Sequence, residues 1–537
     1  MTSSRAFAEH KSAEEPSPVS PTRGRAGSLG AFPPSSSSSS SSSSLPTSTS
    51  NSTTTTSPLS SWCLTPSRQA ERTSNPVRNI VDHLKPNPTH PLPCLNFALG
   101  DPTSYASQGH LLCPDVLVEA VTKHAREGLH NGYTCSAGAL DARQALAAAF
   151  SHEGEGCKRL TAEDVIIASG GSGALEIVMT ALLNEGDVVL IPRPGFALYQ
   201  VIAQSLGAVA LPYELLPEQN WAIDLPALEA TIVEYNSSSN NNNSSSSSSS
   251  SRGAIKAILI NNPSNPCGNI LSKPNLLALL DLARRHYLPI ISDEIYGQVC
   301  FPGEVFYPLG ALTKDVPVLT VGGLAKQFAV PGWRVGWVLI HDPLGLLDVV
   351  AEGGKEGGGV SVSVRQGLKN LTQLILGANT LAQSVIPTLF PPTPSPSLEV
   401  FHTNYVQLLA ENARFVQATL LPAAGAGNEG GREGGSIVGV SLPNLPQGAL
   451  YMLLKLDSNA FGGLDDDVAF CAALLKEENL VLLPGQCFGL PHYVRLVLTP
   501  PQPMLAEGLR RLRAFCGRHA HAVVVSGLKE ENEVVLV

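Results

Sequence analysis

Three side chains of this sequence, a lysine, an aspartate and an arginine, lie in or directly after apolar runs and could carry chemistry there. Lys326 follows the run PVLTVGGL and has apolar neighbours such as Ala325 and Phe328. Most lysines are solvated surface charges, which is the alternative interpretation. A lysine with reduced hydration has a lower pKa and can act as a nucleophile and proton carrier.

The aspartate is Asp293, which follows the strand-like run LPIIS, and Tyr296 comes three residues later. An aspartate in this position can simply cap a helix. If it is buried beside a basic ring nitrogen instead, the ion pair would hold that ring protonated. A protonated pyridine ring is what a pyridoxal electron sink requires.

The arginine, Arg495, lies inside the apolar segment HYVRLVLT. A salt bridge to a protein carboxylate would satisfy it. The alternative is a bidentate clamp on a substrate carboxylate, because the planar guanidinium matches a carboxylate better than an ammonium group does.

Two glycine- and proline-rich turns also follow apolar runs. The segment SGGSG (169–173) precedes a helical pattern, so the backbone N–H groups of Gly171 and Ser172 could bind a phosphate. It does not match the Walker or dinucleotide patterns, and a plain capped turn is the alternative. In NPSNPCG (262–268), Asn265 could present its amide to a ligand oxygen, although a simple turn would use the same residue types.

Short runs rich in Val, Ile and Leu must position these groups: DVIIASG, DVVLIP, AIKAILINN, LPIISDE and PVLTVGG. They alternate with longer helical patterns, which predicts an α/β fold with a parallel sheet buried on both faces. Ligands of such sheets bind beyond the carboxyl ends of the strands. The two turns, Asp293 and Lys326 all follow one of these runs.

The composition of the 537 residues limits the possible functions. The net charge of -10, without a long basic run, argues against nucleic-acid binding. The sequence contains no apolar stretch of about 18 residues, so we predict no membrane-spanning helix. The ten cysteines form neither a CxxC pair nor a Cys/His cluster, so we expect no metal site and a reducing compartment. The N-terminus lacks an apolar signal core, which favours a cytoplasmic location and leaves import through the tail open.

Low-complexity segments suggest where the folded part begins and is interrupted. Residues 1–70 are rich in Ser, Thr and Pro, and we expect them to be disordered because they cannot bury enough apolar surface. The Asn/Ser tract at 236–251 is interpreted as a tolerated loop insertion.

The order of the motifs resembles that of the fold type I, class I aminotransferases, which use pyridoxal 5'-phosphate, and within them the tyrosine aminotransferase group. The resemblance covers nearly all of 75–520, through NPVRNIVD, LGDPT, NGYTCSAG, IPRPGFALY, NNPSNPCG, SDEIYG, GGLAK with PGWRVGW, and YVRLVLT. It implies a large domain with a mostly parallel seven-stranded sheet and a smaller α+β domain. The implied boundaries are 71–120 and 386–525 for the small domain, 121–385 for the large domain, and 526–537 for a tail.

The resemblance also assigns roles around the cofactor ring. Lys326 would hold the cofactor as a Schiff base and later shuttle a proton between the substrate Cα and cofactor C4′. Asp293 would pair with the pyridinium nitrogen. Asn265 and Tyr296 would hydrogen-bond the phenolic oxygen of the ring, and Phe196 would stack on the ring.

For the phosphate, the resemblance implies Gly171, Ser172 and Arg334. Tyr133, in NGYTCSAG, matches a tyrosine that reaches the phosphate of the neighbouring subunit's cofactor. A homodimer with shared sites is therefore implied.

The same resemblance implies that Arg495, with Gly100 and Asn265, binds the substrate, an amino acid or a 2-oxo acid such as 2-oxoglutarate. The stretch NLTQLILGANTL lacks a second arginine for a side-chain carboxylate, which favours aromatic or neutral substrates, tyrosine first. Three alternatives stay open: a carbon–sulfur β-lyase or aminocyclopropane-carboxylate-synthase-like enzyme, an aminotransferase for alanine or another neutral amino acid, and a non-catalytic ligand sensor. The sensor would need a DNA-binding domain, and the N-terminal segment is rich in serine rather than basic.

Overall fold

The computed structural model describes residues 65–106, 113–152, 158–240, 253–350, 361–393, 395–420 and 436–520. The strands in these residues are β1 (Leu95–Asn96), β2 (Val165–Ser169), β3 (Val188–Arg193), β4 (Val209–Leu216), β5 (Ala222–Ile223), β6 (Ile255–Asn261), β7 (Ile290–Asp293), β8 (Val318–Gly323), β9 (Val335–His341), β10 (Val440–Ser441), β11 (Tyr451–Leu456), β12 (Leu480–Val481), β13 (Leu483–Pro484) and β14 (Tyr493–Val497).

Helices cover the faces of the sheets. They are α1 (Arg68–Arg72), α2 (Pro76–Val81), α3 (Asp115–Glu127), α4 (Leu140–Ala149), α5 (Gly170–Leu182), α6 (Leu198–Ser205), α7 (Leu225–Asn240), α8 (Lys273–Arg285), α9 (Leu324–Gln327), α10 (Val364–Leu371), α11 (Thr380–Gln383), α12 (Ile386–Leu389), α13 (Pro396–Leu420), α14 (Asp467–Glu478) and α15 (Gln502–His519).

The central sheet has the strand order β2-β9-β8-β7-β6-β3-β4-β5. The inner strands β8, β7, β6, β3 and β4 run parallel to one another, whereas β9 is antiparallel to both of its neighbours and β5 is antiparallel to β4. Every residue of β7, β8 and β9 is buried. Continuous apolar runs form these strands because helices cover both faces of the sheet.

The expected parallel sheet wound by helices is confirmed, with two differences in detail. An eighth strand, the two-residue β5, extends the edge of the expected seven-stranded sheet. The run DVIIASG forms β2, but it lies at the other edge and pairs antiparallel with β9, a strand that the sequence patterns did not single out. A short apolar run does not specify the direction of its neighbour, so its sequence alone could not show this.

A second, antiparallel sheet with the order β10-β11-β14-β13 lies in the C-terminal part of the chain. The N-terminal segment joins this part because β1 pairs in parallel with β12, with Leu95 opposite Leu480. Core residues of α13, α14 and α15 pack against the second sheet. This arrangement agrees with a small domain built from both ends of the chain, and its boundaries at 120 and 385 stay predictions.

The low-complexity segments lie mostly outside the described residues, as do 1–64 and 521–537. Two of our expected boundaries move. Helix α1 begins at Arg68 with Ser67 as its N-cap, and α7 runs through Asn240, so the Asn/Ser tract begins as helix. All the elements listed above belong to one compact unit, which begins at Pro66. None of the described helices is both long and apolar enough to cross a membrane.

Candidate active site

The carboxyl ends of three neighbouring parallel strands bring the predicted polar groups together. Asn261, the last residue of β6, is in register with Asp293, the last residue of β7. Asp293 is in turn in register with Val321 of β8. Asn265 follows β6, and Lys326 follows β8 in the short helix α9. The sheet therefore places an amide, a carboxyl group and an amine along one edge.

Asp293 is a buried carboxyl group, with only 4% of its surface exposed. The hydroxyl of Tyr199 donates to its Oδ2 at 2.7 Å, and the backbone N–H of Ile295 donates to Oδ1 at 3.2 Å. Burial raises the pKa of Asp293 to about 6, although both hydrogen bonds act in the opposite direction. Among the described residues it has no cationic partner, so a ring nitrogen could supply the missing positive charge.

Lys326 is a half-buried amine held beside the N-terminal segment. Its Nζ donates to the carbonyl oxygen of Gly100 at 2.5 Å, and it forms no ion pair within the described residues. The residues before it, Leu324 and Ala325, are buried, so the surface-lysine alternative does not describe this side chain. Since no carboxylate of the described residues pairs with it, the amine is available for covalent chemistry.

The start of α5 is a positively polarised part of the site. Gly170 has a φ of 70° and opens the helix, so Gly171 and Ser172 lie in its first turn with their N–H groups free of intrahelical partners. The guanidinium of Arg334 donates to the carbonyl oxygen of Ser169 at 3.4 Å, beside this helix start. Helix N-termini with a nearby arginine suit phosphate groups.

Arg495 is a buried guanidinium without a carboxylate. It is 5% exposed, and its Nη1 donates to Oδ1 of Asn265 at 2.8 Å while Nη2 donates to the carbonyl oxygen of Ala98 at 2.6 Å. Its Nε is buried and lacks a hydrogen-bond partner among the described residues. Burial lowers the pKa of Arg495. A buried charge without a counterion is costly, so the site suits a carboxylate from a ligand.

The structure adds a residue that the sequence patterns did not reveal, Tyr451 of β11. Its hydroxyl lies 2.8 Å from that of Tyr296, and the two rings meet edge to face at 5.7 Å. The guanidinium of Arg495 lies 4.1 Å from the centre of the Tyr451 ring, and Phe488 contributes a second ring at 4.8 Å. Tyr451 therefore connects the predicted substrate arginine with a predicted cofactor ligand.

Tyr199 is the second residue missing from the sequence interpretation. Its ring lies edge to face with that of Phe196, with 5.8 Å between the ring centres. The motif IPRPGFALY contains both residues, and the backbone N–H of Tyr199 donates to the carbonyl oxygen of Phe196 at 3.2 Å in the turn that leads into α6. Phe196 thereby lies next to the partner of Asp293, near the predicted cofactor ring.

Tyr133, which was also predicted to bind the cofactor, does not lie with the other site residues of the same chain. Tyr133 is 92% exposed. Its segment is fixed to the body of the protein by Thr380, whose hydroxyl donates to the carbonyl oxygen of His130 at 2.6 Å. Such an exposed tyrosine on an anchored loop agrees with a residue that serves a partner subunit.

Taken as a donor set, these residues fit pyridoxal phosphate. At one edge of the sheet lie a buried carboxyl group and an amine, neither of which has an oppositely charged partner among the described residues, and a helix start that suits an anion. Arg495 adds a buried Nε–H that has no hydrogen-bond partner in the same residues. The combination matches a phosphorylated pyridine aldehyde and an amino acid better than a nucleotide or a metal.

Comparison with known proteins agrees with this chemistry. Residues 93–512 match the family model for aminotransferase class I and II. The chain is 35% identical to human tyrosine aminotransferase over 470 residues, which are 88% of this chain and 90% of that protein. The crystal structure of tyrosine aminotransferase from Leishmania infantum superposes with a TM-score of 0.69 at 31% identity, covering 85% of this chain and 99% of that one. An S-alkyl-thiohydroximate lyase from Arabidopsis thaliana is 31% identical over 424 residues, 78% of this chain and 79% of that protein.

Proposed function

This chain belongs to the class I and II aminotransferases, and we propose that it transfers the amino group of an aromatic amino acid, tyrosine first, to a 2-oxo acid such as 2-oxoglutarate. It is a transaminase that depends on pyridoxal phosphate. The observation that carries the proposed chemistry is the buried Arg495, which has no protein carboxylate among the described residues and lies 2.8 Å from Asn265.

The cofactor would be held at four points. Lys326 is the proposed attachment site, Asp293 the partner of the ring nitrogen, and the start of α5 with Arg334 the phosphate site. Asn265 and Tyr296 are proposed to bind the ring oxygen, since the Asn265 Oδ1 is occupied by Arg495 and its amide N–H groups are left for a ligand. When bound, pyridoxal phosphate supplies an electron sink for the charge left when the substrate Cα loses its proton.

The residues of the chain then have separate tasks. Arg495 binds the α-carboxylate of the substrate and thereby fixes which face of the Cα is presented. The Nζ of Lys326 takes the Cα proton and returns a proton later in the reaction. The hydrogen bond from Tyr199 favours the ionised form of Asp293, which is the form that keeps a ring nitrogen protonated.

The substrate proposal rests on two supports. The tyrosine aminotransferases among the relatives extend over most of this chain. In addition, the segment 370–381 offers no second arginine for an acidic side chain.

A homodimer with shared sites is part of the proposal. The loop of Tyr133 lies against the segment that contains Leu374, Ile375 and Leu376, because the hydroxyls of Thr372 and Ser136 are 2.8 Å apart. These apolar side chains are 79%, 59% and 59% exposed in the single chain. Such a patch is typical of a surface that a second subunit covers.

A cytoplasmic location is also proposed. It is supported by the cysteines, each of which is free among the described residues. Free thiols are typical of proteins in a reducing compartment.

The first experiment locates the cofactor. The purified protein is reduced with borohydride and its peptides are mapped, with Lys256→Ala as a matched control and Lys326→Ala as the test variant. We expect the label on Lys326 in the wild type and in the control, and no label in the Lys326→Ala protein. A label on any other lysine would overturn the assignment.

The second experiment separates the reaction classes. Formation of glutamate from tyrosine and 2-oxoglutarate is measured beside release of ammonia and pyruvate from cystathionine. We expect the first reaction to dominate. Dominant release of ammonia would favour the lyase alternative.

The dimer is tested with hybrids of two variants. Tyr133→Ala and Lys326→Ala subunits are mixed under conditions that exchange subunits. If Tyr133 serves the partner's site, each hybrid dimer regains one complete site, so activity rises above that of either parent. Mixing without recovery would contradict a shared site.

A further inference from the structure

Tyr451 is in contact with three parts of the candidate site at once. Its hydroxyl lies 2.8 Å from the hydroxyl of Tyr296, and its ring lies 4.1 Å from the guanidinium carbon of Arg495. A methyl group added at Gly100 would overlap the Tyr451 hydroxyl, so the two residues are closely packed. Gly100 in turn accepts the hydrogen bond from Lys326. Tyr451 itself is 2% exposed.

The direction of the bond between the two hydroxyls follows from the charge above the ring. A guanidinium over the face of a phenol stabilises negative charge on that phenol and makes its O–H a better donor. Either hydroxyl can donate in this geometry, but of these two tyrosines it is Tyr451 whose ring face lies against the guanidinium, which favours Tyr451 as the donor and Tyr296 as the acceptor. The proton of Tyr296 is then free for a different acceptor.

Two linked hydroxyls polarise each other when they are buried. Each hydrogen bond in such a chain strengthens the next one, and the effect is larger where water is excluded. Tyr296 is 3% exposed, so it shares the dry environment of Tyr451. A Tyr296 that accepts from Tyr451 is a stronger donor than an isolated tyrosine.

We propose that Tyr451 is a positioning residue with two separable tasks: its hydroxyl strengthens Tyr296 as a donor to the cofactor's ring oxygen, and its ring holds the guanidinium of Arg495 for the substrate carboxylate. This inference rests on the proposed function. A stronger donor stabilises negative charge on the ring oxygen, so the nitrogen that joins Lys326 to the cofactor binds its proton less tightly.

Two variants separate the two tasks in the holoenzyme. Tyr451→Phe keeps the ring and removes the hydroxyl, whereas Tyr451→Leu removes both. For Tyr451→Phe we expect the midpoint of the pH titration of the cofactor's visible absorbance to rise by about half to one pH unit. We expect KM for tyrosine to stay within about twofold of the wild type, because the cation–π contact survives.

For Tyr451→Leu we expect the same rise of the midpoint and, in addition, a loss of carboxylate affinity. Binding of 3-phenylpropionate, which has the carboxylate and ring but no amino group, should weaken about tenfold when the ring beside Arg495 is lost. If this variant does not fold, Tyr451→Phe still tests the task of the hydroxyl.

The matched control is Tyr405→Phe. Tyr405 lies on α13, is 1% exposed, and its hydroxyl has no hydrogen-bond partner among the described residues. We expect its absorbance midpoint to equal that of the wild type. A folded Tyr451→Phe protein with the wild-type midpoint, or an equal shift in the Tyr405→Phe control, would overturn the inference.

The results that would overturn the role of Tyr451 can be distinguished from those that would overturn the proposed function. If the wild type carries no label on Lys326 after borohydride reduction, the cofactor assignment itself is wrong. If the wild type is labelled and titrates normally while the Tyr451→Phe midpoint does not move, only the role of Tyr451 is wrong.

Discussion

Substitution of Tyr199 by phenylalanine tests how the protein keeps a buried carboxyl group ionised. Tyr199 is fully buried, and its hydroxyl donates to Asp293 Oδ2 at 2.7 Å. Phenylalanine keeps the ring that lies against Phe196 and removes only the donor. The substitution is therefore expected to change the pKa of Asp293 and, through it, the affinity for pyridoxal phosphate.

The size of the effect follows from two quantities. A hydrogen bond to a charged group contributes about 1.5–3 kcal/mol, and about 1.4 kcal/mol corresponds to one pH unit. Burial already raises the pKa of Asp293 to about 6 while the Tyr199 bond is present. Without that bond, the pKa of Asp293 in the cofactor-free protein should rise by about one to two pH units. Near pH 7 the carboxyl group would then be largely neutral and a poor partner for a pyridinium nitrogen.

The assay is the dissociation constant of pyridoxal phosphate, measured on the cofactor-free protein between pH 6 and 9 (roughly the window set by these pKa shifts). We expect affinity to fall about twofold to tenfold near pH 7, to fall further at about pH 6, and to recover as the pH rises above the new pKa of Asp293. Tyr213→Phe is the matched control, since its buried hydroxyl donates to the carbonyl oxygen of Leu259 at 2.9 Å and not to Asp293. Wild-type affinity in Tyr199→Phe at every pH would refute the reasoning.

Three further substitutions test other parts of the structure. Burial raises the pKa of Glu294 to about 7, so its ionisation costs stability as the pH rises from about 4 through 7. In urea titrations, the free energy of unfolding of Glu294→Gln should fall by roughly 2–3 kcal/mol less than that of the wild type between about pH 5 and pH 8. An equal fall in both proteins would contradict the burial argument. Arg495→Lys should lower kcat/KM for tyrosine about a hundredfold, mainly through KM, because an ammonium cannot replace the bidentate fork; an unchanged KM would exclude Arg495 as the carboxylate site. A Cβ at Gly336 would overlap the backbone of Gly170. Gly336→Ala should therefore displace the start of α5 and weaken the binding of pyridoxal phosphate about tenfold in a fluorescence titration. An affinity equal to that of the wild type would contradict this expectation.

The fold was largely predictable because the sequence repeats one simple pattern. The runs that form β3, β6, β7 and β8 are continuous and apolar, and the helices α6, α8 and α9 follow β3, β6 and β8. A parallel sheet covered on both faces is the common solution for such a pattern. Strand β9 was not predicted because its segment, VGWVLIH, pairs antiparallel on both sides, and one of its two partners, β2, is distant in the chain.

Part of the candidate site was predictable for the same reason. Parallel strands end at one edge, so residues that directly follow β6, β7 and β8 have to lie near each other. Asn265, Asp293 and Lys326 were found in this way, and the structure places them as expected. Their assigned chemical roles are predictions that the labelling and binding experiments test.

The sequence by itself determined which chemical groups follow the apolar runs, because the runs and the residues after them can be identified from local patterns. Only the tertiary structure decided their partners. Tyr296 meets Tyr451 across 155 residues of chain, and Arg495 reaches Ala98 across 397. Contacts of this kind depend on how the two sheets pack, and no local pattern encodes that packing. The same packing leaves Arg495 buried without a carboxylate among the described residues, which is the observation behind its proposed role in binding a substrate carboxylate.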